Sequence, residues 1–306
     1  ENCYLAFLWP SGKNKIEESL KQFSKIIYQK ELKLSSSRAY NLLYELYKHM
    51  DWVGTIENNF SGVKQKLIEC FPSFDSFYVV AFQADSLDSV REIKENVRNI
   101  HNIGFSSIHI TDTKEEAQRI SRSVFNDNGI HFLNNSSPYK YSNLYQKLDD
   151  FQQFLSNQNI DKDDLLLDGS IVLALYGIRE NYDIDFYVIK NILDNEFYEQ
   201  HDSELKYHEV SKEDLIYDSK YYFEFYGFKI ISFQQLYTMK ENRGEEKDKN
   251  DCEIMKSLLE GNNIKKLFFI IKQKLFYYKI KFRLKSREIV VEFLRVIHLY
   301  DIVKRI

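Results

Sequence analysis

The chain has little of what breaks or staples a backbone. Only three Pro and ten Gly occur among 306 residues, which excludes collagen-like, linker-like and Pro-rich architectures. The three Cys, at positions 3, 70 and 252, are scattered, odd in number and without CxxC spacing. They exclude a disulfide framework and a cysteine-built zinc site, and they fit a reducing cytoplasm. No apolar run reaches membrane-spanning length, and no signal-peptide pattern is visible. A net charge of −4 disfavours an overall electrostatic grip on nucleic acid, and no nucleic-acid motif is recognisable. Glu1 stands in place of Met and an apolar run begins almost at once, which suggests a segment of a longer polypeptide.

Aromatic residues, in contrast, are abundant, with 22 Tyr and 23 Phe. The charged and apolar fractions are those of a soluble globular protein with about two domains. The first half alternates strands and helices and predicts an α/β layer domain. Strands are expected at 3–9, 77–82 and 108–110, and helices at 16–28, 39–49, 89–100 and 114–125, the last capped by Thr111 or Asp112. His109, Asp112 and Thr113 follow a strand and could contact a ligand. Without a Gly-rich turn they read better as a helix cap beside a packed His. Residues 126–143, rich in Asn and Ser, predict a domain boundary or exposed connection.

The second half is organised around residues 165–188, LLLDGSIVLALYGIRENYDIDFYV. A short apolar run ends in Asp168-Gly169-Ser170, a helical segment follows, and a second apolar run carries Asp183-Ile184-Asp185. Side chains alternate along a strand, so Asp183 and Asp185 are expected on one side. Two adjacent carboxylates suit divalent metals that clamp phosphate oxygens. Gly169 permits close backbone approach, and Ser170 can open a helix. Residues 144–155 read as a helix, 191–212 as polar and peripheral, and 221–231 as β-rich with a turn at Gly227. A helix over 232–240 with Ser232 as cap and another over 249–259 complete this half.

This arrangement resembles the nucleotidyltransferase superfamily, with its polymerase-β-like fold, over about residues 145–260. Gly169-Ser170 and Asp183-x-Asp185 match its signature spacing, and Arg179 falls in the turn where many members carry an Arg. The later order Ile230-Ile231-Ser232, Lys240, Arg243, Lys247-Asp248, Asp251 is similar to that of small bacterial members. The resemblance implies Mg²⁺ or Mn²⁺ on Asp183 and Asp185, and phosphates at Gly169 and Ser170. It further implies charge neutralisation by Arg179, Lys240 and Arg243, with Lys247 and Asp248 bridging these to the metal strand. Taken alone, the charges at 240–251 also fit a solvated, charge-paired turn between helices. Many members use a third carboxylate as base or ligand. Glu224 is the only acid in 221–231 and is either that group or a solvent-facing residue. Asp168 either reaches the metals or caps the helix at Ser170.

Residues 262–306 hold eight Lys and four Arg against Glu288, Glu292 and Asp301, a surplus of nine positive charges that leaves about −13 elsewhere. Apolar residues interleave with them, from Leu267 and Phe268 to Leu294 and Ile297. One or two amphipathic helices are expected, lying on an anionic membrane surface, lining a groove for a polyanion, or packing as ordinary helices. The reading is thus three segments: 1–138, an α/β domain of unassigned role; 139–261, a nucleotidyltransferase-like mixed-sheet domain; and 262–306, a basic helical tail. The expected activity moves a nucleotidyl or phospho-substituent from a nucleoside-activated donor to a hydroxyl acceptor such as a glycan, as phosphorylcholine transferases of surface polysaccharides do. Mononucleotide transfer to a protein or small molecule, and a catalytically silent scaffold, are the alternatives. The expected location is the cytoplasm, at the inner membrane face.

Overall fold

The computed structural model describes residues 2–55, 58, 60–138, 140–141, 143–190, 197–261 and 263–296. It is a mixed α and β structure with two sheets. The chain divides into two compact units, Glu1–Leu236 and Tyr237–Ile306.

The first unit opens with β1 (Asn2–Leu8), α1 (Ile16–Leu20), β2 (Ile26–Leu32), α2 (Ser36–Tyr47), α3 (Ser61–Cys70), β3 (Phe77–Ala84), α4 (Leu87–His101), β4 (Ile108–Ile110), α5 (Lys114–Val124) and α6 (Asp127–Asn135). Its sheet has the order β2-β3-β1-β4, with every neighbouring pair antiparallel. Both faces are covered. Leu5 and Phe7 pack with Leu42, Leu46, Val63, Ile120 and Leu133 on one side, and Tyr4, Ala6 and Leu8 with Val90 and Val97 on the other. Burial on both faces explains why β1 and β3 read as continuous apolar runs instead of alternating ones.

Three expectations change here. Residues 26–28, read as the end of a helix, belong to β2, and α1 stops at Leu20. Ile26 and Ile27 are β-branched, and pairing with β3 outweighs the helical spacing that links them to Phe23. Residues 126–143 are not simply a connection, because α6 forms within them. Its cap Asn126 accepts hydrogen bonds from the N–H groups of Asn128 and Gly129. Thr113, not Thr111 or Asp112, caps α5, while the Thr111 hydroxyl accepts from the Leu5 N–H at 3.0 Å.

The same unit continues through α7 (Asn143–Asn157), β5 (Leu165–Asp168), α8 (Ser170–Leu175), β6 (Ile184–Val188), β7 (Tyr198–Gln200), α9 (Lys212–Tyr217), β8 (Tyr222–Phe225) and β9 (Phe228–Ile231). The second sheet has the order β7-β6-β5-β9-β8. β5 is antiparallel to β6 and parallel to β9, and β6 is parallel to β7. Tyr226 and Gly227, both at positive φ, close the β8–β9 hairpin as a tight two-residue turn requires. α6 joins the two sheets: Phe132 stacks on Phe223 at 4.6 Å, and the Asn128 amide donates to the carbonyls of Lys220 and Tyr222. The expected division at 138/139 therefore falls inside the first compact unit.

α10 (Phe233–Arg243) leads into the second unit, which holds α11 (Glu246–Leu259) and α12 (Asn263–Val296). The expected tail is a single helix as far as Val296, and 297–306 lie outside the described residues. Among the described residues no helix is long and apolar enough to cross a membrane.

Candidate active site

β5 and β6 carry the candidate groups to one point. Asp168 and Asp185 are directly paired across the two strands and so share one face of the sheet. The other face, with Leu167 and Phe186, is dry, and Phe151 of α7 meets Phe186 at 5.3 Å. After Asp168 the chain turns sharply at Gly169, whose φ of 72° and ψ of −136° are accessible to glycine almost alone. A Cβ at this position would collide with the Asp185 carboxylate. Ser170 opens α8, and its hydroxyl donates to Asp183 Oδ1 at 3.4 Å. Asp183 sits one residue before β6 and is half-buried, and the Asn181 amide donates to its carbonyl at 3.0 Å. Gly169, Ser170, Asp183 and Asp185 therefore meet, with Asp168 beside them.

Two histidines join this cluster from a segment read as peripheral. Parallel pairing of β7 with β6 brings His201 beside the carboxylates, and a short turn over Asp202–Tyr207 then brings His208 in. His201 Nδ1 lies 3.0 Å from Asp168 Oδ2, and its Nε2 lies 3.3 Å from Asp185 Oδ1. His208 Nε2 lies 3.6 Å from the same Asp168 oxygen, and its ring meets Tyr187 edge-on. Residues 191–196 of that segment lie outside the described residues.

The electrostatics follow from burial and pairing. Burial alone would raise Asp168, but the two imidazoles holding it keep it well below the usual carboxylate range. Burial works against charge on His201, yet the hydrogen bond and charge of Asp168, then Asp185 and Glu204, raise its pKa to about 9. Burial pushes Asp185 up to about 7, with Asp183, Asp168 and Glu199 adding to the rise and His201 opposing it. The pairing with Asp168 thus favours the charged form of His201, while burial disfavours charge on Asp185. Among the described residues Asp168 Oδ1 has no hydrogen-bond partner, although it is buried.

The chemistry of the donors fits a hard divalent cation: the carboxylates of Asp183 and Asp185 are held beside Ser170 and Gly169 respectively. Among the described residues no three His, Cys, Asp or Glu side chains are already set around one point as ligands. The His201 ring lies between Asp168 and Asp185.

The remaining expected residues have partners of their own. Glu224 shares the sheet face of Asp168 through its pairing with Lys229, but β8 is two strands from β5, about 10 Å away. Its carboxylate takes Arg122 of α5 at 3.0 Å and is not brought to the aspartates. Arg179 follows α8 and donates to the Glu180 carbonyl at 3.4 Å. In the second unit, Lys240 Nζ lies 3.0 Å from both Asp248 and Asp251, and Arg243 grips Asp248 with two bonds of 2.7 and 2.8 Å. Asp248 is fully buried, and these cations hold it below the usual carboxylate range against the opposing effect of burial. Lys247 is half-exposed and pairs with Glu245 at 3.2 Å. The charges at 240–251 thus pair with one another, buried at Lys240, Arg243, Asp248 and Asp251 and exposed at Glu245 and Lys247. No family model matches the chain, and no curated protein and no solved structure is found that matches it.

Proposed function

We propose that this chain is a metal-dependent transferase that moves a nucleotidyl or phospho-substituent from a nucleoside-activated donor to a hydroxyl acceptor. One observation carries the reading: Gly169-Ser170 and the Asp183/Asp185 pair, about a dozen residues apart in sequence, converge on one point. Asp183 and Asp185 would hold Mg²⁺ or Mn²⁺, which when bound neutralises phosphate charge and orients the attacking oxygen. Gly169 keeps the backbone clear of Asp185, and Ser170 fixes Asp183 by its hydroxyl. His201, whose charged form Asp168 favours, would place a positive charge beside Asp185. A glycan acceptor, a cytoplasmic location and docking of α12 on an anionic membrane complete the proposal. α12 supports the membrane contact with Lys272 and Lys279 exposed among large exposed apolar residues such as Phe268 and Leu275.

A second reading, a catalytically silent scaffold, is favoured by the His201 ring lying between Asp168 and Asp185. Mass spectrometry of candidate acceptors incubated with Mg²⁺ and each nucleoside-activated donor separates the two. A transferase loses about 10²-fold or more in rate in Asp183→Asn and in Asp185→Asn. Mononucleotide addition to a protein or small molecule would replace the glycan as acceptor. No transfer and no Mg²⁺-dependent nucleotide binding would leave the scaffold.

A further inference from the structure

The first unit contains a cavity of about 570 Å³ among the helices of the N-terminal sheet. That volume is typical of small-molecule sites. Its lining is aromatic and cationic together. Tyr47 and Trp52 lie with ring centroids 5.1 Å apart, and the Arg98 guanidinium lies over the Phe105 ring at 4.5 Å. Lys66 and Lys94 join Arg98, and among the described lining residues the only carboxylate is Glu69.

Each of these cations has a more exposed carboxylate partner, and Lys66 also donates to the Phe105 carbonyl at 3.0 Å. Lys66 reaches Glu69 at 4.0 Å, Lys94 reaches Asp112 at 3.1 Å, and Arg98 reaches Glu95. The three cationic side chains are 13 %, 15 % and 19 % exposed, whereas their carboxylates are 42 %, 57 % and 61 % exposed. Such half-solvated pairs are weak and yield readily to a better acceptor. Gly62 lets α3 approach the Trp52 carbonyl, where a Cβ would collide, so this side of the cavity is shaped by backbone.

We propose that this cavity binds a small planar anion, an aromatic ring bearing a phosphate or carboxylate. The ring lies against Tyr47, Trp52 and Phe105, and the acid group meets Lys66, Lys94 and Arg98. Mononucleotides and aryl acids share this chemistry. The site is independent of the Asp183/Asp185 cluster and of the activity proposed for it.

Trp52 is half-exposed and lines the cavity, while Trp9 is fully buried, so quenching of tryptophan emission reports on the site. The full chain, kept in EDTA to hold divalent ions away from the aspartates, is titrated with AMP, UMP, phenyl phosphate and 4-hydroxybenzoate, and with neutral adenosine and phenol. The expected result is saturable quenching by at least one anion set. It should weaken about tenfold in Lys94→Gln and Arg98→Gln, and about tenfold for the neutral probes. Which set binds identifies the source of the ligand. Circular dichroism checks each variant, and Lys66→Gln replaces any that unfolds. Absence of saturation at about 10 mM overturns the proposal. So does equal binding of neutral probes, or binding unchanged by the charge variants.

Discussion

Gly169 has no tolerated substitute, for two separate reasons. Its backbone lies where other residues are strained, and its missing side chain leaves the space taken by Asp185. Gly169→Ala is expected to destabilise the first unit by about 2 kcal/mol or more, measured by urea unfolding, and to remove any transferase activity. His109 offers a different residue-scale test. Burial outweighs the pull of Glu116 and lowers this ring's pKa below its ordinary 6.5. The unfolded chain therefore takes up the proton first, so stability contributed by the neutral ring is complete above pH 6.5 and is lost as pH falls through and below it. Melting temperature should drop from pH 7 to pH 5, and the slope should be shallower in His109→Gln, as scanning calorimetry would show.

Elements decide which of these residues were legible. The run through β5, α8 and β6 could be read because both markers are local: an apolar run cut by Asp-Gly-Ser, and Asp-x-Asp at the start of the next run. His201 and His208 could not, because they arrive through β7, a strand of three residues whose YEQ sequence shows no apolar alternation. The one available signal was that His is scarce, seven in the chain, and two stand seven positions apart after that segment. Glu224 was readable as an acid on a strand, but its distance from β5 depends on β9 inserting between them, which no local pattern encodes. In the second unit the Lys-Arg-Asp-Asp order was visible, yet only contact shows that Asp248 is buried between two cations. Asp248→Ala should destabilise by about 3 to 5 kcal/mol in denaturant melts, since Arg243 and Lys240 lose a buried counter-charge. Lys247→Ala, one residue away and half-exposed, should stay within about 0.5 kcal/mol. For α12, Lys272→Gln with Lys279→Gln should weaken co-sedimentation with phosphatidylserine vesicles about thirtyfold, at roughly 1 kcal/mol per charge. Equal binding to neutral vesicles would remove the membrane proposal.

At the scale of the molecule, the alternation of strands and helices correctly predicted an α and β protein, but the division of the chain was hidden. Residues 126–143 carry turn-forming Asn and Ser, yet Asn126 is spent on capping α6 and Asn128 on bonding to the β8 backbone. Phe132 then serves both halves, stacking on Phe223 at 4.6 Å and meeting Phe225 at 5.2 Å. Fragments 1–138 and 139–306, made separately, are expected to lack cooperative thermal transitions by circular dichroism, because each exposes an aromatic face that the other covers.

The place of α6 also bears on how the polypeptide is born. Phe132 is synthesised some 90 residues before Phe223 and Phe225, a delay of about 5 to 20 seconds at ordinary elongation rates. Throughout that interval the nascent N-terminal half shows a bare aromatic ledge, and its safe passage depends on the speed of translation and on the chaperones that meet it.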